Sequence, residues 1–326
     1  MGLFNRVASG GIMLSYQCSN RCRHCVYACS QRESRWMTAA DLSSIFQQLK
    51  KHGGPLCGFH ITGGEPLLKP ELAAQAVALA LDQSIPVEYL ETNGSFATDP
   101  KRAEEIIRMQ RAAGLSRLLI SLSPFHAEFI PLCTTVNAIR AAENVLGGDG
   151  AFVWLPEFYL EIAAISENAC VSIESHGDPA EYFPGVAARY SMIQNGRAAL
   201  TVSPHLQRQP IQAFYGSNCF QELFRSGHLH FDPDYNYIPG FCSGITLGDW
   251  RELEKIYRDF DLEKNPFLAK ISQDIKLAVE YAADLGFIPE PEGYSGKCHL
   301  CLEMRRFLVS KVQLAELGPM HFYENL

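Results

Sequence analysis

Three cysteines, Cys18, Cys22 and Cys25, follow a short apolar run, Gly11-Ile12-Met13-Leu14-Ser15-Tyr16, that reads as a first strand. The C-x3-C-x2-C segment therefore sits on the loop leaving that strand. Iron–sulfur clusters are usually held by four cysteines and structural zinc by four ligands. Three thiolates leave one metal position open, and an open position is where a substrate or cofactor binds. A zinc site completed by His24 or a distant residue is the alternative on spacing alone. Cys29, a further x3 along, permits a closed four-cysteine site but is read as a neighbour of the site.

A second apolar run, Cys57-Gly58-Phe59-His60-Ile61-Thr62, ends in Gly63-Gly64-Glu65-Pro66. Paired glycines at a strand end allow close backbone approach to a ligand. The adjacent carboxylate can hold an ammonium group. With the open cysteine triad, this loop suits an amino acid chelated to a unique iron through its amino and carboxylate groups.

Four more cysteines lie late in the chain. Cys219 and Cys242 flank Asp232-Pro233-Asp234-Tyr235-Asn236-Tyr237, which reads as a hairpin turn between two short strands, and Cys298-His299-Leu300-Cys301 supplies a C-x2-C pair. Four cysteines satisfy a tetrahedral site outright, and the spacing allows zinc or a [4Fe–4S] cluster equally. His228 and His230 are possible spare ligands, but H-x-H on a strand reads as structural.

The elements that must position these residues alternate. Thr38-Ala39-Ala40-Asp41 reads as a capping box, and Leu42, Ile45, Phe46 and Leu49 form a helical stripe that Gly53-Gly54 ends. Pro70 opens a second helix with Leu72, Ala73, Ala76, Val77 and Ala80 facing inward. A third strand, Val87 to Glu91, runs into Thr92-Asn93-Gly94, and a helix through Ile106, Ile107 and Met109 follows. Arg117 to Leu122 reads as the fourth strand, Val136 to Leu146 as a helix, Ala151 to Leu155 as the fifth strand and Tyr190 to Ile193 as the sixth. Strands alternating with helices predict βαβ units and a parallel sheet.

A C-x3-C-x2-C loop after the first strand and a G-G-E-P motif after the second together resemble the radical S-adenosylmethionine (SAM) superfamily. The resemblance implies an α/β fold, a partial (βα)6 TIM-type barrel, with chemistry at the C-terminal strand ends. It implies that Cys18, Cys22 and Cys25 hold a [4Fe–4S] cluster whose fourth iron binds SAM. Reductive cleavage would then yield a 5′-deoxyadenosyl radical that abstracts hydrogen from a substrate carbon. Gly63, Gly64, Glu65, Pro66, Asn93, Ser121, Ser123 and Arg197 (in Gly196-Arg197-Ala198) fall where such proteins contact the cofactor. The glycine-rich fifth strand of some members is replaced by Trp154-Leu155-Pro156-Glu157-Phe158, which leaves the adenine contacts unassigned and marks the substrate side.

The late cysteines resemble a twitch domain, the short relative of the SPASM domain, with a hairpin cysteine pair, a helix and a late C-x2-C. Cys242-Ser243-Gly244-Ile245-Thr246-Leu247-Gly248-Asp249 is similar to the turn into its helix. The interval from Cys219 to Cys242 is long, and Asn236 stands where a glycine is usual. The resemblance implies an auxiliary [4Fe–4S] cluster on Cys219, Cys242, Cys298 and Cys301, with zinc as the alternative. The expected division is a core barrel over 1–210 and a small C-terminal α+β auxiliary domain over 211–326.

The resemblance further implies an electron donor such as a flavodoxin or ferredoxin, and a small-molecule or peptide substrate. The cluster motif begins at residue 18 and 25 residues follow Cys301, so a leader-binding partner is expected to be a separate chain if the substrate is a peptide. His126 and Glu157 are candidates for acid–base work, and the Arg305-Arg306 pair either binds a carboxylate or is a solvated helix face. A non-catalytic protein with two zinc sites is the reading from a different class.

At 326 residues the chain accommodates a barrel plus an appendage, and a 47% hydrophobic composition supplies a full core. A net charge of −8 without basic runs argues against a nucleic-acid partner. No stretch approaches a membrane span. Met1-Gly2-Leu3-Phe4-Asn5-Arg6 lacks an apolar signal core and carries Arg6 where myristoylation wants Ser or Thr. Eleven cysteines, mostly read as metal thiolates, predict a reducing, cytoplasmic setting. Cys57, Cys133 and Cys170 are expected as buried free thiols.

Overall fold

The computed structural model describes residues 3–54 and 58–326, so Met1, Gly2 and Cys57 lie outside the described residues. Seven strands form one sheet in the order β5-β4-β3-β2-β1-β6-β7. They are β1 (Ser9–Met13), β2 (Gly58–Thr62), β3 (Val87–Thr92), β4 (Leu118–Ser121), β5 (Ala151–Trp154), β6 (His228–Phe231) and β7 (Tyr237–Pro239). The first six pair in parallel, and β7 pairs antiparallel with β6.

The first five strands and their helices follow the expected alternation. Helix α1 (Ala39–His52) begins at Thr38, whose side chain and that of Asp41 cap each other's backbone N–H groups, and it buries Leu42, Ile45, Phe46 and Leu49. Helix α2 (Pro70–Asp82) buries Ala73, Ala76, Val77 and Ala80, and helix α3 (Pro100–Ala112) buries Ile106 and Ile107. These side chains join Ile12, Phe59, Ile61, Leu90, Leu118 and Ile120 in one apolar core between helices and sheet. The helix Leu132–Leu146 completes this layer.

The other sheet face is concave. Because side chains alternate along a strand, His60 and Thr62 on β2, Tyr89 and Glu91 on β3, Leu119 and Ser121 on β4, Trp154 on β5, and His228 and His230 on β6 share a face. All of them line one cavity of ≈ 320 Å³. Five strands aimed at one cavity describe a partial barrel, open between β5 and β7.

The sixth parallel strand is not where the sequence predicts it. Tyr190 ends the helix Pro179–Tyr190, and Ser191 adopts a left-handed backbone at φ 49°, which breaks any extended run. The place beside β1 is taken by β6, with Ser9 opposite His228 and Gly11 opposite His230. The hairpin over Asp232–Tyr237 is present, and its left-handed turn residue is Tyr235 at φ 69°. Beyond it lie the helices Leu253–Asp259, Ile275–Asp284 and Lys297–Val309. Among the described residues, no helix is long and apolar enough to cross a membrane.

Candidate active site

The loop leaving β1 carries Cys18, Cys22 and Cys25 to the cavity, which Gly63, Gly64, Asn93 and Ser121 also line. Backbone fit holds the loop. Gly64 N–H donates to the Ser15 carbonyl at 2.8 Å and Glu65 N–H to the Gln17 carbonyl at 2.9 Å. A Cβ on Gly63 would meet the Ser15 carbonyl oxygen at 2.5 Å, and one on Gly64 would overlap that of Gln17. The glycines are thus required where one loop backbone lies against the other, a constraint separate from any ligand.

Glu65 is buried and does not present its carboxylate to the cavity. It accepts from Leu67 N–H at 2.9 Å, the Thr92 hydroxyl at 2.8 Å and Asn93 N–H at 2.7 Å, so it ties the β2 loop to the β3 loop. Burial pushes its carboxyl up to about 7 against the pull of these donors. Pro66 is buried at the start of the single turn Pro66–Leu68.

The thiols sit among donors. The Asn20 N–H lies 3.4 Å from Cys18 Sγ, the Asn93 side-chain amide 3.5 Å from the same sulfur, and the Asn20 amide 3.8 Å from Cys22 Sγ. Burial pushes the Cys18 thiol up to about 12 and also raises Cys22 well above the usual thiol range. Cys29 touches Cys25: its thiol hydrogen bond holds Cys25 low while Cys29 itself is pushed up. Buried thiols facing amide donors, with the Tyr27 hydroxyl and His24 Nδ1 also buried and unpartnered, form a donor set suited to a positively charged metal centre. His24 stacks on Phe125 with centroids 4.7 Å apart.

Arg197, expected near the cofactor, lies buried against the backbone of the cysteine loop. Its guanidinium donates to the carbonyls of Cys22 at 2.8 Å, Cys29 at 2.7 Å and Asn325 at 3.2 Å, and its N–H to that of Cys25 at 3.0 Å. Gly196 has φ 57°, and a Cβ there would overlap the Cys25 and Val26 carbonyls. Ser123 is fully buried and bonds His126 Nδ1 at 2.8 Å. His126 lines the cavity, and burial lowers it to about 4. Glu157 is exposed on the turn Pro156–Phe158, away from the cavity lining, because the chain leaves β5 through a left-handed Leu155 at φ 66°. Trp154 lines the cavity in its stead.

Sequence reading missed Glu91, which is two residues along β3 from Tyr89 and faces the cavity beside it. It accepts the Thr62 hydroxyl at 2.7 Å, and burial raises its carboxyl. The signal was present in the alternation of Tyr89 and Glu91. It also missed His60 on the cavity wall: burial lowers His60 to about 3, and burial lowers His228 and His230 too.

The late cysteines converge. Cys219, Cys242, Cys298 and Cys301 line a second cavity of ≈ 260 Å³, with Ile193 and Phe241 lining this cavity and the first. Burial raises the thiols of Cys219, Cys242 and Cys298, the last to about 11, and neighbouring cysteines add to each shift. Such a cluster of buried thiols also suits a metal centre, whose charge would favour the thiolates. Arg305 is buried and donates to the Ser243 carbonyl and the Asn195 side chain, both at 2.8 Å, whereas exposed Arg306 pairs with Glu303. Arg305 lines this second cavity, and its Nε is buried without a partner. Cys170 is exposed and Cys133 half-buried, so neither is the buried thiol expected.

An open α/β barrel with a three-cysteine loop at its first strand end defines the class. Residues 12–146 match the model of the radical SAM superfamily, and the chain carries a radical SAM domain. No curated protein matches the chain. It is similar to solved structures of native anSMEcpe with bound AdoMet (14% identity over 92% of this chain and 96% of that one, TM-score 0.46). BtrN in complex with AdoMet and 2-DOIA is 13% identical over 83% and 89%, TM-score 0.44. Streptococcus suis SuiB bound to S-adenosylmethionine is 15% identical over 78% and 66%, TM-score 0.42. A radical SAM domain implies a [4Fe–4S] cluster with SAM and supports an enzyme.

Proposed function

We propose that this chain is a radical SAM enzyme in which Cys18, Cys22 and Cys25 hold a [4Fe–4S] cluster. The observation that carries this is the meeting of the three cysteines with Gly63, Gly64, Asn93 and Ser121 on one cavity. When bound, cluster and SAM would supply a 5′-deoxyadenosyl radical able to abstract hydrogen from a substrate carbon. The chain's own residues provide a water-poor pocket and fixed donors. Gly63, Gly64, Asn93 and Ser121 contact SAM. Glu65, Pro66, Ser123 and Arg197 serve the site by fixing the loops that carry it.

Cys219, Cys242, Cys298 and Cys301 hold an auxiliary cluster in the C-terminal segment 211–326, whose strands β6 and β7 continue the sheet of the core over 1–210. The shared wall of Ile193 and Phe241 supports a role for it beside the substrate, as electron acceptor or ligand. Sharing one cavity with cluster and SAM restricts the substrate to a small metabolite or a single peptide residue. Glu91, His126 and Trp154 are its polar and aromatic contacts. A peptide-modifying role with a separate leader-binding partner is the second reading, since a single residue of a peptide fits the same space. A flavodoxin or ferredoxin of a reducing cytoplasm would supply the electron.

Anaerobic reconstitution, iron and sulfide counting, and incubation with dithionite and SAM test this reading. About eight irons with release of 5′-deoxyadenosine is expected. About four irons with the same product would make the late cysteines a zinc site. Folded protein without iron or SAM cleavage would overturn the enzyme reading in favour of zinc binding.

A further inference from the structure

Three histidines left unused by the cysteine sites meet on the cavity wall. His60 and His230 occupy one row of the sheet, on strands flanking β1, and the residue between them is Gly11. The missing side chain matters: a Cβ on Gly11 would stand 2.7 Å from His60 Nε2 and 2.5 Å from His230 Cδ2. The two rings reach toward each other through that gap. His228, two residues before His230 on the same strand face, completes the group. One ring nitrogen from each of the three lies within 4.8 Å of the other two.

Their hydrogen bonds leave lone pairs facing inward. His230 Nδ1 lies 3.0 Å from the Gly240 carbonyl, which accepts only, so the proton is on Nδ1 and Nε2 is bare. Ser9 donates its hydroxyl proton to the Gly227 carbonyl at 3.2 Å, so His228 Nδ1, 3.3 Å from that hydroxyl oxygen, donates to it and likewise leaves Nε2 bare. His60 is buried and has no hydrogen-bond partner among the described residues; Tyr89 stacks on its ring at 4.9 Å. Imidazoles whose outer nitrogens are held by carbonyl and hydroxyl groups have the supporting bonds usual for metal ligands.

We infer that His60, His228 and His230 form a three-imidazole site for a divalent transition metal, with a coordination position open to the cavity. Tetrahedral bonds of ~2.0–2.1 Å place ligand nitrogens ~3.3 Å apart; the His60 and His228 rings stack with centroids 5.3 Å apart and planes 7° apart, so metal binding turns one of them out of that stack. Imidazole ligands suit zinc, iron and nickel, and a three-histidine set leaves room for one exogenous donor. A substrate would enter through an oxygen or nitrogen atom, held on the same cavity as the cysteine loop. The site does not depend on the radical SAM reading, because its ligands are separate from both cysteine sets.

The test uses cluster-reconstituted protein washed with chelator, equilibrated with Zn2+ and desalted. Retention of about one zinc per chain with a nitrogen shell at ~2.0–2.1 Å by X-ray absorption is expected. His60→Gln and His230→Gln should each weaken zinc binding about tenfold or more. Gly11→Ala should do the same while keeping every histidine, with circular dichroism checking that each variant is folded. Zinc absent from the wild type, a sulfur shell at ~2.3 Å, or retention unchanged in His60→Gln and His230→Gln would overturn the proposal.

Discussion

The Glu65 carboxylate accepts the Asn93 backbone N–H at 2.7 Å, while the Asn93 side-chain amide reaches Cys18 Sγ at 3.5 Å. One buried carboxylate thus sets the position of a donor to a thiol on another loop. Glu65→Gln replaces one acceptor oxygen with an NH2 facing N–H or O–H donors. A loss of about 1–3 kcal/mol is expected in denaturant unfolding. A midpoint unchanged from wild type would show that the loops hold without it.

Arg197 bridges the carbonyls of Cys22, Cys29 and Asn325. A lysine presents a point charge in place of a planar fork and cannot span them. Arg197→Lys should lower stability by about 3 kcal/mol, with iron and sulfide retention falling in parallel. Retention equal to wild type would mean that Gly196 and the Gly-Gly loop suffice.

Removing single cysteines separates the two proposed centres. Cys22→Ala should abolish 5′-deoxyadenosine release. Cys301→Ala should lower iron by about four per chain and leave that release intact. Equal iron loss with complete loss of cleavage in both variants would contradict two independent sites.

Asp232 is fully buried and accepts the Tyr16 hydroxyl at 2.7 Å, joining the cysteine loop to the hairpin. Burial raises its carboxyl from 3.8 to about 6, so the folded chain binds this proton more tightly than the unfolded one. Its contribution is complete below pH ~4 and is lost as pH rises through ~6. Relative to Asp232→Asn, wild type should lose up to about 3 kcal/mol between pH 4 and 7, read from unfolding curves. The comparison cancels the nearby Asp234, Glu33 and His321. A difference independent of pH would refute it.

Much of the site was legible because its signals are local. The Thr38–Asp41 cap and the stripe Leu42, Ile45, Phe46, Leu49 encode α1 within a few residues, and the structure reproduces both. The convergence of Cys219 and Cys242 with Cys298 and Cys301 on one cavity was readable from number and spacing. Tyr190–Ile193 failed because a four-residue segment carries no period that separates helix end from strand. His228-Leu229-His230-Phe231 was the better strand, and its pairing with β1 lies more than two hundred residues away in sequence.

By itself the sequence determined the residue types and spacings: three thiols after β1, glycines after β2, four thiols late, and the alternation that makes parallel βα units. These depend on covalent neighbours and on periods of 2 and 3.6 residues. Which side chains share the cavity was decided only in three dimensions. Pairing β6 with β1 in one register sets His230 opposite Gly11, and a shift by one residue would turn both β6 histidines to the other face. The same packing buries Glu65 and Arg197 behind the loops and leaves Glu157 in solvent. Burial and register are properties of the assembled sheet, because they depend on contacts between segments that no local pattern contains.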